Sequence, residues 1–512
     1  MYDDIDPDEI FLDSSNLPEF DTYQFEGRIV KSLSKTTIYV LGSFFVGVVL
    51  VFLWKIGSLQ VVRGSEYADI SENNRLAHTY LFPERGVVFD INKNILAWNT
   101  LGADEFSLRA YTATSGLAHV LGYIKYPQAD TSGIYYKTEY TGETGVEKMY
   151  NKTLNGKNGL KIIERNALLE IESESVIDPP EDGDDITLTI DARVQSQMYA
   201  FIKDLVYEKG FEGGAGVIMD IHTGGVLALT SYPEYSSAIM SDGQEIDIIE
   251  AYNNNEKKPY LNRVVSGRYT PGSIVKPIVA IAALNEGVIT PEKKILSTGK
   301  LVVPNPWDPE LSTVFNDWKA HGWTDMREAI AVSSDVYFYE VGGGFAPDKQ
   351  EGIGIANIEK YARMFGMGEM TGIDLPGEID GVIPNPEWKK ENFDGEDWYV
   401  GNTYHTAIGQ YGFQITPLQA LRAIAAVASN GKLVVPHVLE DKNVVETQID
   451  EIDPYYFRVV QEGMRQAVTA GTAAGLSVPY ITIAAKTGTA EIGSSKSFVN
   501  SWIVGFFPYE DP

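Results

Sequence analysis

One segment constrains the fold of this chain more than any other, because it carries no charged residue from Thr36 to Trp54. As a helix rising about 1.5 Å per residue, it would extend roughly 28 Å, close to the thickness of the hydrocarbon core of a membrane. The alternatives are a buried helix of a soluble domain and a cleaved signal peptide, but the preceding stretch is too long and too acidic for a signal peptide. We predict a transmembrane helix over residues 36–56, preceded by a cytoplasmic tail over residues 1–35.

The composition narrows the class of the remaining chain. Its 512 residues predict two or three domains. The formal net charge of -30 argues against binding of nucleic acid through a general basic surface. The sequence contains no cysteine, which excludes disulfides, thiol catalysis and cysteine-based metal sites and suits an extracytoplasmic domain. We therefore expect a folded, acidic part outside the cytoplasm and no nucleic-acid partner.

The patterns after the apolar segment divide the chain in two. Short strand-like runs and polar turns fill residues 57–180, including a hairpin over Gly86–Ala97. The cluster Pro179–Asp185 predicts a linker, and a helix beginning near Asp191 and a second hairpin over Gly216–Ser231 follow it. Strands around a long helical middle segment indicate an α+β domain, with helices packed on an antiparallel sheet, over residues 181–512.

Three short strings carry the chemical information: Ser273–Lys276, Ser333–Asp335 and Lys486–Thr489. A serine and a lysine one helical turn apart can form a nucleophile with its own base. A second serine beside an acid can complete a route for protons, and a lysine-threonine-glycine strand can hold a carboxylate next to them. Together the strings predict an acyl-transfer site whose base is lysine rather than histidine.

The position of the first string matters, because its pattern recurs at Ser32–Lys35 and Ser297–Lys300. Ser273 follows a proline-glycine turn and precedes an apolar run that predicts a buried helix ending near Gly287. Pro277 falls in the first helical turn, where a missing N–H costs little. Attack by the serine would create an oxyanion, and the backbone N–H at this helix start can stabilise it.

With these motifs in this order, the chain resembles the class B penicillin-binding proteins, which are monofunctional peptidoglycan D,D-transpeptidases. Further segments resemble signatures of that family and occur in the family's order. They are Glu72–Arg75, Pro83–Gly86, Gly122–Ile124, Gly145–Glu147, Leu154–Gly156, Thr371–Glu378, Ile408–Gln410 and Thr416–Gln419. The resemblance implies a β-rich pedestal (dimerisation-like) domain over residues 57–180, a transpeptidase domain over residues 181–512 and a single-pass location in the cell (inner) membrane.

The same resemblance implies the reaction. Ser273 attacks the penultimate D-Ala carbonyl of a D-Ala-D-Ala stem peptide, with Lys276 as its base, and Ser333 relays a proton to the leaving amine. An amine of a neighbouring stem peptide then resolves the acyl-enzyme. β-Lactams would acylate Ser273 as mimics of this substrate, and D-Ala-D-Ala carboxypeptidase activity would be a side reaction. No cofactor is expected.

The resemblance also implies how the substrate is held. Lys486, Thr487 and Thr489 bind its terminal carboxylate, and the N–H of Thr489 is the second oxyanion donor. Gly488 lets the substrate backbone lie against the strand, where a side chain would block it. Asp335 is expected to orient the neighbouring serine and to face Lys486, because a carboxylate beside the base would oppose its deprotonation.

The subtype and the partner follow from the second motif. Its extension Ser333–Tyr339, with Asp335 where division-type relatives usually carry asparagine, resembles elongation-type enzymes similar to penicillin-binding protein 2, which make lateral wall. The implied partner is a polytopic glycan polymerase. Asp317 and His321 resemble a zinc site of some elongation-type relatives, but without cysteine and a clear third ligand we expect no metal.

Two other functions stay open at this point. A serine β-lactamase or β-lactam sensor shares the first and third motifs, although such domains are shorter, and no deacylating base is evident here. A non-enzymatic scaffold that activates a polymerase is the other alternative.

The chain also ends soon after Val499–Phe507, whereas family members continue with a further strand and a terminal helix. We therefore expect a sequence truncated at its C-terminus.

Overall fold

The computed structural model describes residues 34–65, 67, 76–102, 105–131, 135–165, 171–305, 311–493 and 498–512. Nearly all of the predicted cytoplasmic tail, the motif Glu72–Arg75 and the serine of the Ser32–Lys35 pattern lie outside these residues. The described chain forms two compact units. The first holds the residues up to Thr79 and Ile162–Ser175, and the second holds Tyr80–Lys161 and Val176–Pro512.

The first unit contains the apolar helix. Helix α1 spans Lys35–Gly57 and continues as a π-helical turn, Ser58–Val62. The hydroxyl of Ser34 caps its start by accepting a hydrogen bond from the N–H of Thr37 at 3.1 Å. None of the residues of α1 is buried, and in the described chain it belongs to the one helix that is long and apolar enough to cross a membrane. The predicted helix over residues 36–56 is confirmed as a helix.

Short strands and helices fill the chain from Leu76 to Asp178. They are β1 (Leu76–Leu81), β2 (Val88–Phe89), β3 (Ile95–Thr100), β4 (Leu108–Tyr111), α2 (Ala118–Leu121), β5 (Ile124–Lys125), β6 (Gln128–Ala129), β7 (Tyr135–Lys137), β8 (Thr141–Gly142), α3 (Gly145–Met149), α4 (Asn151–Asn155), β9 (Gly159–Arg165) and β10 (Ile171–Asp178). The hairpin predicted over residues 86–97 is confirmed, since β2 and β3 pair in antiparallel fashion with Val88 opposite Ala97.

The segment Pro179–Asp185, predicted as a linker, is anchored to the β2 region by hydrogen bonds. The carboxylate of Asp185 accepts a hydrogen bond from the N–H of Val87 at 2.6 Å. Directly after it, strand β11 (Ile186–Thr187) runs parallel to β2, in a sheet of order β11-β2-β3-β4. The segment has an isolated bridge at Glu181 and otherwise no regular structure, as its composition predicts, and its role as a domain linker stays a prediction.

The remaining chain alternates longer helices with strands. Its elements are α5 (Ala192–Lys209), β12 (Gly214–Met219), β13 (Val226–Tyr232), α6 (Ser237–Asp242), α7 (Ile246–Asn253), α8 (Arg263–Ser266), α9 (Lys276–Asn285), β14 (Ile295–Ser297), β15 (Lys300–Pro304), β16 (Ser312–Asn316), β17 (Gly322–Thr324), α10 (Met326–Val332), α11 (Asp335–Gly343), α12 (Gly354–Met364), α13 (Pro386–Asn392), α14 (Val400–Ala407), α15 (Pro417–Ala428), β18 (Lys432–Val434), β19 (Glu446–Gln448), α16 (Pro454–Ala470), β20 (Ala484–Ile492) and β21 (Phe498–Phe506). The mixture of helices and antiparallel pairs confirms the predicted α+β class.

The predicted helix and hairpin at the start of this part are both present. Asp191 caps α5 by accepting hydrogen bonds from the N–H groups of Arg193 and Val194. Strands β12 and β13 pair in antiparallel register, as predicted. Gln195 of α5 joins the helix to the hairpin, because its side-chain oxygen accepts a hydrogen bond from the N–H of Leu229 at 2.7 Å.

Helix α9 lies in the largest apolar core. Its residues Ile278–Leu284 are all at most 4% exposed, and the helix is apolar on every side. Pro277 occupies the first turn of α9, and the helix ends at Asn285, two residues before Gly287 in the left-handed conformation. These features confirm the predicted buried helix. Such burial on all sides fixes the position of the residues at its N-terminus, which include Ser273 and Lys276.

A buried ionic cluster holds the β2–α4 region together. Glu147 of α3 is fully buried, and its two carboxylate oxygens accept hydrogen bonds from Nε of Arg85 and Nε of Arg109, both at 2.8 Å. Arg85 also donates to the side-chain oxygen of Asn155 at 2.9 Å. Burial alone would raise the pKa of Glu147, but the two guanidinium groups outweigh it and hold the pKa below its usual value.

Replacement of Glu147 by Gln should destabilise this region strongly. The two arginines would keep their charges in a buried position without a counter-charge, which costs about 3–5 kcal/mol in comparable cases. The measurement is the free energy of unfolding of the full chain in detergent. Glu181→Gln is the matched control, because Glu181 pairs with Lys157 at the surface, with both side chains more than half exposed. Equal effects of the two substitutions would contradict the prediction.

Candidate active site

A tight turn carries Ser273 to the start of the buried helix. Gly272 has φ +58, and its N–H donates to the carbonyl of Gly409 at 2.9 Å. A 3-10 turn, Gly272–Val275, then leads into α9, which begins at Lys276. Ser273 is therefore one turn before the lysine, as predicted, at the N-terminal end of a helical segment. By contrast, the Ser297–Lys300 pattern begins at the end of β14 and ends at the start of β15.

The second motif lies at the junction of two helices. A capping box between Asp325 and Glu328 starts α10, and Ser333 ends it in the left-handed conformation, at φ 57 and ψ 44. Ser334 then caps α11 by accepting a hydrogen bond from the N–H of Tyr337. A left-handed serine is uncommon, and here it turns the chain so that the Ser333 side chain lies at the N-terminal end of α11.

Two buried lysines converge on the hydroxyl of Ser333. Nζ of Lys276 lies 3.3 Å from Oγ of Ser333 and 2.9 Å from the carbonyl oxygen of the same residue. Nζ of Lys486 lies 2.8 Å from the same Oγ and 2.7 Å from the carbonyl oxygen of Thr487. Both lysine residues are 0% exposed. The three motifs predicted to form one site therefore meet at Ser333.

The carboxylate of Asp335 contacts a different lysine from the one predicted. Its Oδ1 lies 2.6 Å from Nζ of Lys276. Among the described residues, Lys276 is the lysine with which Asp335 forms an ion pair. The expectation that Asp335 faces Lys486 is therefore wrong for the hydrogen-bonded partner. The physical reason is geometric: Asp335 begins α11 directly after the serine pair, on the side from which α9 approaches.

The buried position of Lys486 changes its titration. Burial lowers its pKa well below the usual value, and the nearby charge of Lys276 lowers it further, whereas Asp335 opposes both effects. The lowered pKa makes the neutral form of Lys486 more accessible than that of an exposed lysine, and a neutral amine can take part in proton transfer.

The third motif lies on strand β20, which passes close to the Ser273 turn. Strand β20 pairs with β21 in antiparallel fashion, with Gly488 opposite Trp502. A Cβ on Gly488 would lie 2.8 Å from a side-chain carbon of Ile274 and 2.9 Å from the carbonyl oxygen of Pro271. A Cβ on Gly272 would lie 2.8 Å from the carbonyl oxygen of Thr489. Two glycines thus permit the contact between strand and turn.

This contact assigns Gly488 a role that differs from the predicted one. The side of Gly488 where a Cβ would stand faces Pro271 and Ile274 of the turn, so the missing side chain makes room for the protein itself rather than for a ligand. The indole N–H of Trp502 donates to the carbonyl of Thr270 at 2.9 Å and ties the neighbouring strand to the same turn.

One residue of the site was not found from the sequence. The hydroxyl of Thr487 donates to the hydroxyl of Thr472 at 2.7 Å. Thr472 follows α16, and its N–H donates to the carbonyl of Ala331 in α10 at 3.1 Å. Thr472 thus links the strand of the third motif to the helix that precedes Ser333. Nothing in the local sequence of Thr472 indicated this, since the link exists only between distant segments.

Within the described chain, no group of three or more histidine, aspartate or glutamate side chains could hold a metal ion. Asp317 and His321 lie side by side, with Nε2 of the histidine 3.4 Å from Oδ1 of the aspartate, in a buried position.

The hydroxyl of Ser273 and the exposed side chain of Thr489 have no hydrogen-bond partner among the described residues. The described protein therefore leaves both side chains available to contact a ligand.

Comparison with known proteins matches both parts of the chain to family models. Residues 214–512 match the penicillin binding protein transpeptidase domain, and residues 87–188 match the penicillin-binding protein dimerisation domain. Among curated proteins, the chain is 31% identical over 437 residues to the peptidoglycan D,D-transpeptidase MrdA of Acinetobacter baumannii. That match covers 79% of this chain and 62% of the relative, so the chain spans less than two thirds of that protein's length.

Solved structures of similar fold include proteins from two further organisms. A complex between penicillin-binding protein PBP2 and MreC from Helicobacter pylori matches with a TM-score of 0.70 and 29% identity, covering 85% of this chain and 93% of that one. Pseudomonas aeruginosa PBP2 in complex with WCK 5153 matches with a TM-score of 0.68 and 29% identity, over 84% and 90% of the two chains. A chain of a peptidoglycan synthase complex that coordinates polymerization and crosslinking matches with a TM-score of 0.71 and 25% identity, over 92% of each chain. With more than half of its residues in the matched transpeptidase domain, the chain belongs to the penicillin-binding protein transpeptidase family.

Proposed function

We propose that the chain is a membrane-anchored peptidoglycan D,D-transpeptidase that forms its acyl-enzyme on Ser273. The observation that carries the proposal is the hydroxyl of Ser333 between Nζ of Lys276 and Nζ of Lys486. A hydroxyl has two acceptor lone pairs and one donor hydrogen. With both lone pairs facing lysines, the hydrogen of Ser333 is the group left to donate, as protonation of a leaving amine requires.

In the first half of the proposed reaction, a D-Ala-D-Ala stem peptide acylates the enzyme. Oγ of Ser273 attacks the penultimate D-Ala carbonyl carbon while its proton passes to the neutral form of Lys276. The backbone N–H groups of Ser273 and Thr489 hold the oxyanion. The C–N bond then breaks, Ser333 donates its proton to the leaving nitrogen, and the lysines return a proton to Ser333. D-Ala leaves as the free amino acid.

In the second half, an amine of a neighbouring stem peptide attacks the ester on Ser273. The amine loses a proton to the same lysine–serine route, the ester C–O bond breaks, and Ser273 regains its hydrogen. The product is an amide cross-link between two peptides. Attack by water in place of the amine would give the carboxypeptidase side reaction, with a carboxylate as product.

The substrate's terminal carboxylate is held, in this proposal, by the third motif. Lys486 supplies positive charge, and the hydroxyls of Thr487 and Thr489 supply hydrogen bonds. Asp335 does not join this set, because it is paired with Lys276 at 2.6 Å. We assign it instead to the orientation of Lys276 and Ser333, and we assign Thr472 to the orientation of Thr487, whose hydroxyl it contacts.

The location and the partner are proposed on the same basis. Helix α1 would anchor the chain in the cell membrane, with the catalytic part outside the cytoplasm, where stem peptides are found. The relatives named PBP2 and MrdA support an elongation-type role. The solved complexes with MreC and of a peptidoglycan synthase support a partner in the elongation machinery and a glycan polymerase beside it.

A fluorescent penicillin should label the protein in detergent covalently at Ser273, and Ser273→Ala should abolish that labelling, because the acyl acceptor is removed. The measurement is in-gel fluorescence with mass spectrometry of the labelled peptide. Ser297→Ala is the matched control, since Ser297 has the same Ser-x-x-Lys pattern on a strand and should retain labelling within about twofold. Label at another residue would contradict the proposal, and rapid release of the label would favour a β-lactamase.

The rate of acylation should also fall at alkaline pH, and the fall should begin at a lower pH than the one at which an ordinary lysine loses its charge. The proposed reaction needs a charged Lys486 to bind the carboxylate. Because the pKa of Lys486 is lowered, this charge is lost, as the pH rises, at a pH below about 10.4, the ordinary pKa of lysine. The second-order rate constant for penicillin acylation, measured against pH, reports groups of the free enzyme. Lys486→Arg should move this alkaline limb upward, because a guanidinium stays charged above pH 12. An alkaline limb at or above pH 10.4 in the unsubstituted protein would contradict the assignment.

A further inference from the structure

A buried carboxylate outside the three motifs contacts the second motif from behind. The side chain of Asp317, between β16 and β17, is 0% exposed. Its Oδ2 accepts hydrogen bonds from the hydroxyl of Ser334 at 3.0 Å and from the N–H of Val336 at 3.1 Å. The same oxygen accepts a third, from the hydroxyl of Ser297, at 3.1 Å. Two of these three donors flank Asp335.

The hydrogen bonds of Asp317 influence the backbone conformation of the Ser333–Asp335 motif. Val336 lies in the first turn of α11, whose free N–H groups need acceptors, and a carboxylate there is favoured by the helix dipole. Ser334 immediately follows Ser333, whose left-handed conformation is unfavourable for a residue with a side chain. Asp317 therefore fixes the two residues that must stay in place for Ser333 to keep this conformation.

The consequences reach the reacting groups. If Ser334 and Val336 were released, Ser333 could relax to an extended conformation and withdraw its hydroxyl from Lys276 and Lys486. Asp335, between the two released residues, would lose its alignment with Lys276. Asp317 touches neither lysine directly. Its other oxygen, Oδ1, accepts a hydrogen bond from the N–H of Trp318 at 2.8 Å and lies 3.4 Å from Nε2 of His321.

We propose that Asp317 is a positioning residue of the transpeptidase reaction, which holds the Ser333–Asp335 motif in its reactive shape through hydrogen bonds to Ser334 and Val336. This inference rests on the proposed function. It assigns a role to a residue that none of the three motifs contains. An effect on the rate of bond formation is expected, and none on the binding of the substrate carboxylate, because Asp317 has no contact with strand β20.

The test measures penicillin acylation of the protein in detergent under single-turnover conditions, which separates the dissociation constant of the first complex from the acylation rate constant. Asp317→Asn should lower the acylation rate constant about tenfold or more, because an amide loses the charge and turns an N–H group toward donors. The dissociation constant should stay within about twofold. Ser297→Ala, which removes only the donor outside the motif, should change the rate constant by less than about threefold.

A double-mutant cycle tests whether Asp317 acts through Ser334. Ser334→Ala should lower the same rate constant, and Asp317→Asn combined with Ser334→Ala should be no worse than about twofold below the slower single variant, because both substitutions remove the hydrogen bond between Asp317 and Ser334. If Asp317→Asn fails to fold, the rate constant of Ser334→Ala alone tests the contact between Ser334 and Asp317, because that variant keeps the buried carboxylate.

Four outcomes would overturn the inference. An unchanged rate constant with a reduced fraction of labelled molecules in both variants would mean that Asp317 contributes to global stability alone. Losses that multiply in the double variant would mean that Asp317 does not act through Ser334. Absence of labelling in the unsubstituted protein would overturn the proposed function together with this inference, whereas normal labelling in both the unsubstituted protein and Asp317→Asn would overturn only the inference.

Discussion

The amino groups of two lysines share one buried site, and the arrangement around them follows from the need to give these groups partners. Lys276 and Lys486 are 0% exposed, and they lie close enough for one to lower the pKa of the other. A buried charge without partners is very unfavourable. The acceptors come from separate parts of the chain: the hydroxyl and carbonyl of Ser333, the carboxylate of Asp335 and the carbonyl of Thr487.

This need explains several local features that would otherwise be unfavourable. The left-handed conformation of Ser333 points both its hydroxyl and its carbonyl toward lysines. The close passage of β20 along the Ser273 turn brings Lys486 to the same point, and Gly272 and Gly488 make that passage sterically possible. Functional sites often concentrate such strain, which the surrounding packed core maintains. The core here is helix α9, buried on every side.

The chemical residues could be identified from the sequence because their patterns are short and local. The turn before Ser273, the buried helix after it and the two hairpins were all predicted from local composition, and the structure contains them. The errors concern contacts between distant segments. Asp335 was assigned to the wrong lysine, and the role predicted for Gly488 did not include its contact with the Ser273 turn.

The sequence by itself determined which side chains are available for catalysis, that a long apolar helix precedes them and that the chain folds as an α+β protein, because helical spacing, hydrophobic length and turn chemistry are properties of neighbouring residues. Only the tertiary structure decided which lysine Asp335 contacts, why Gly488 has no side chain and that Thr472 and Asp317 adjoin the motifs. These contacts join residues far apart in the chain. They depend on how helices and strands pack, which no local pattern encodes.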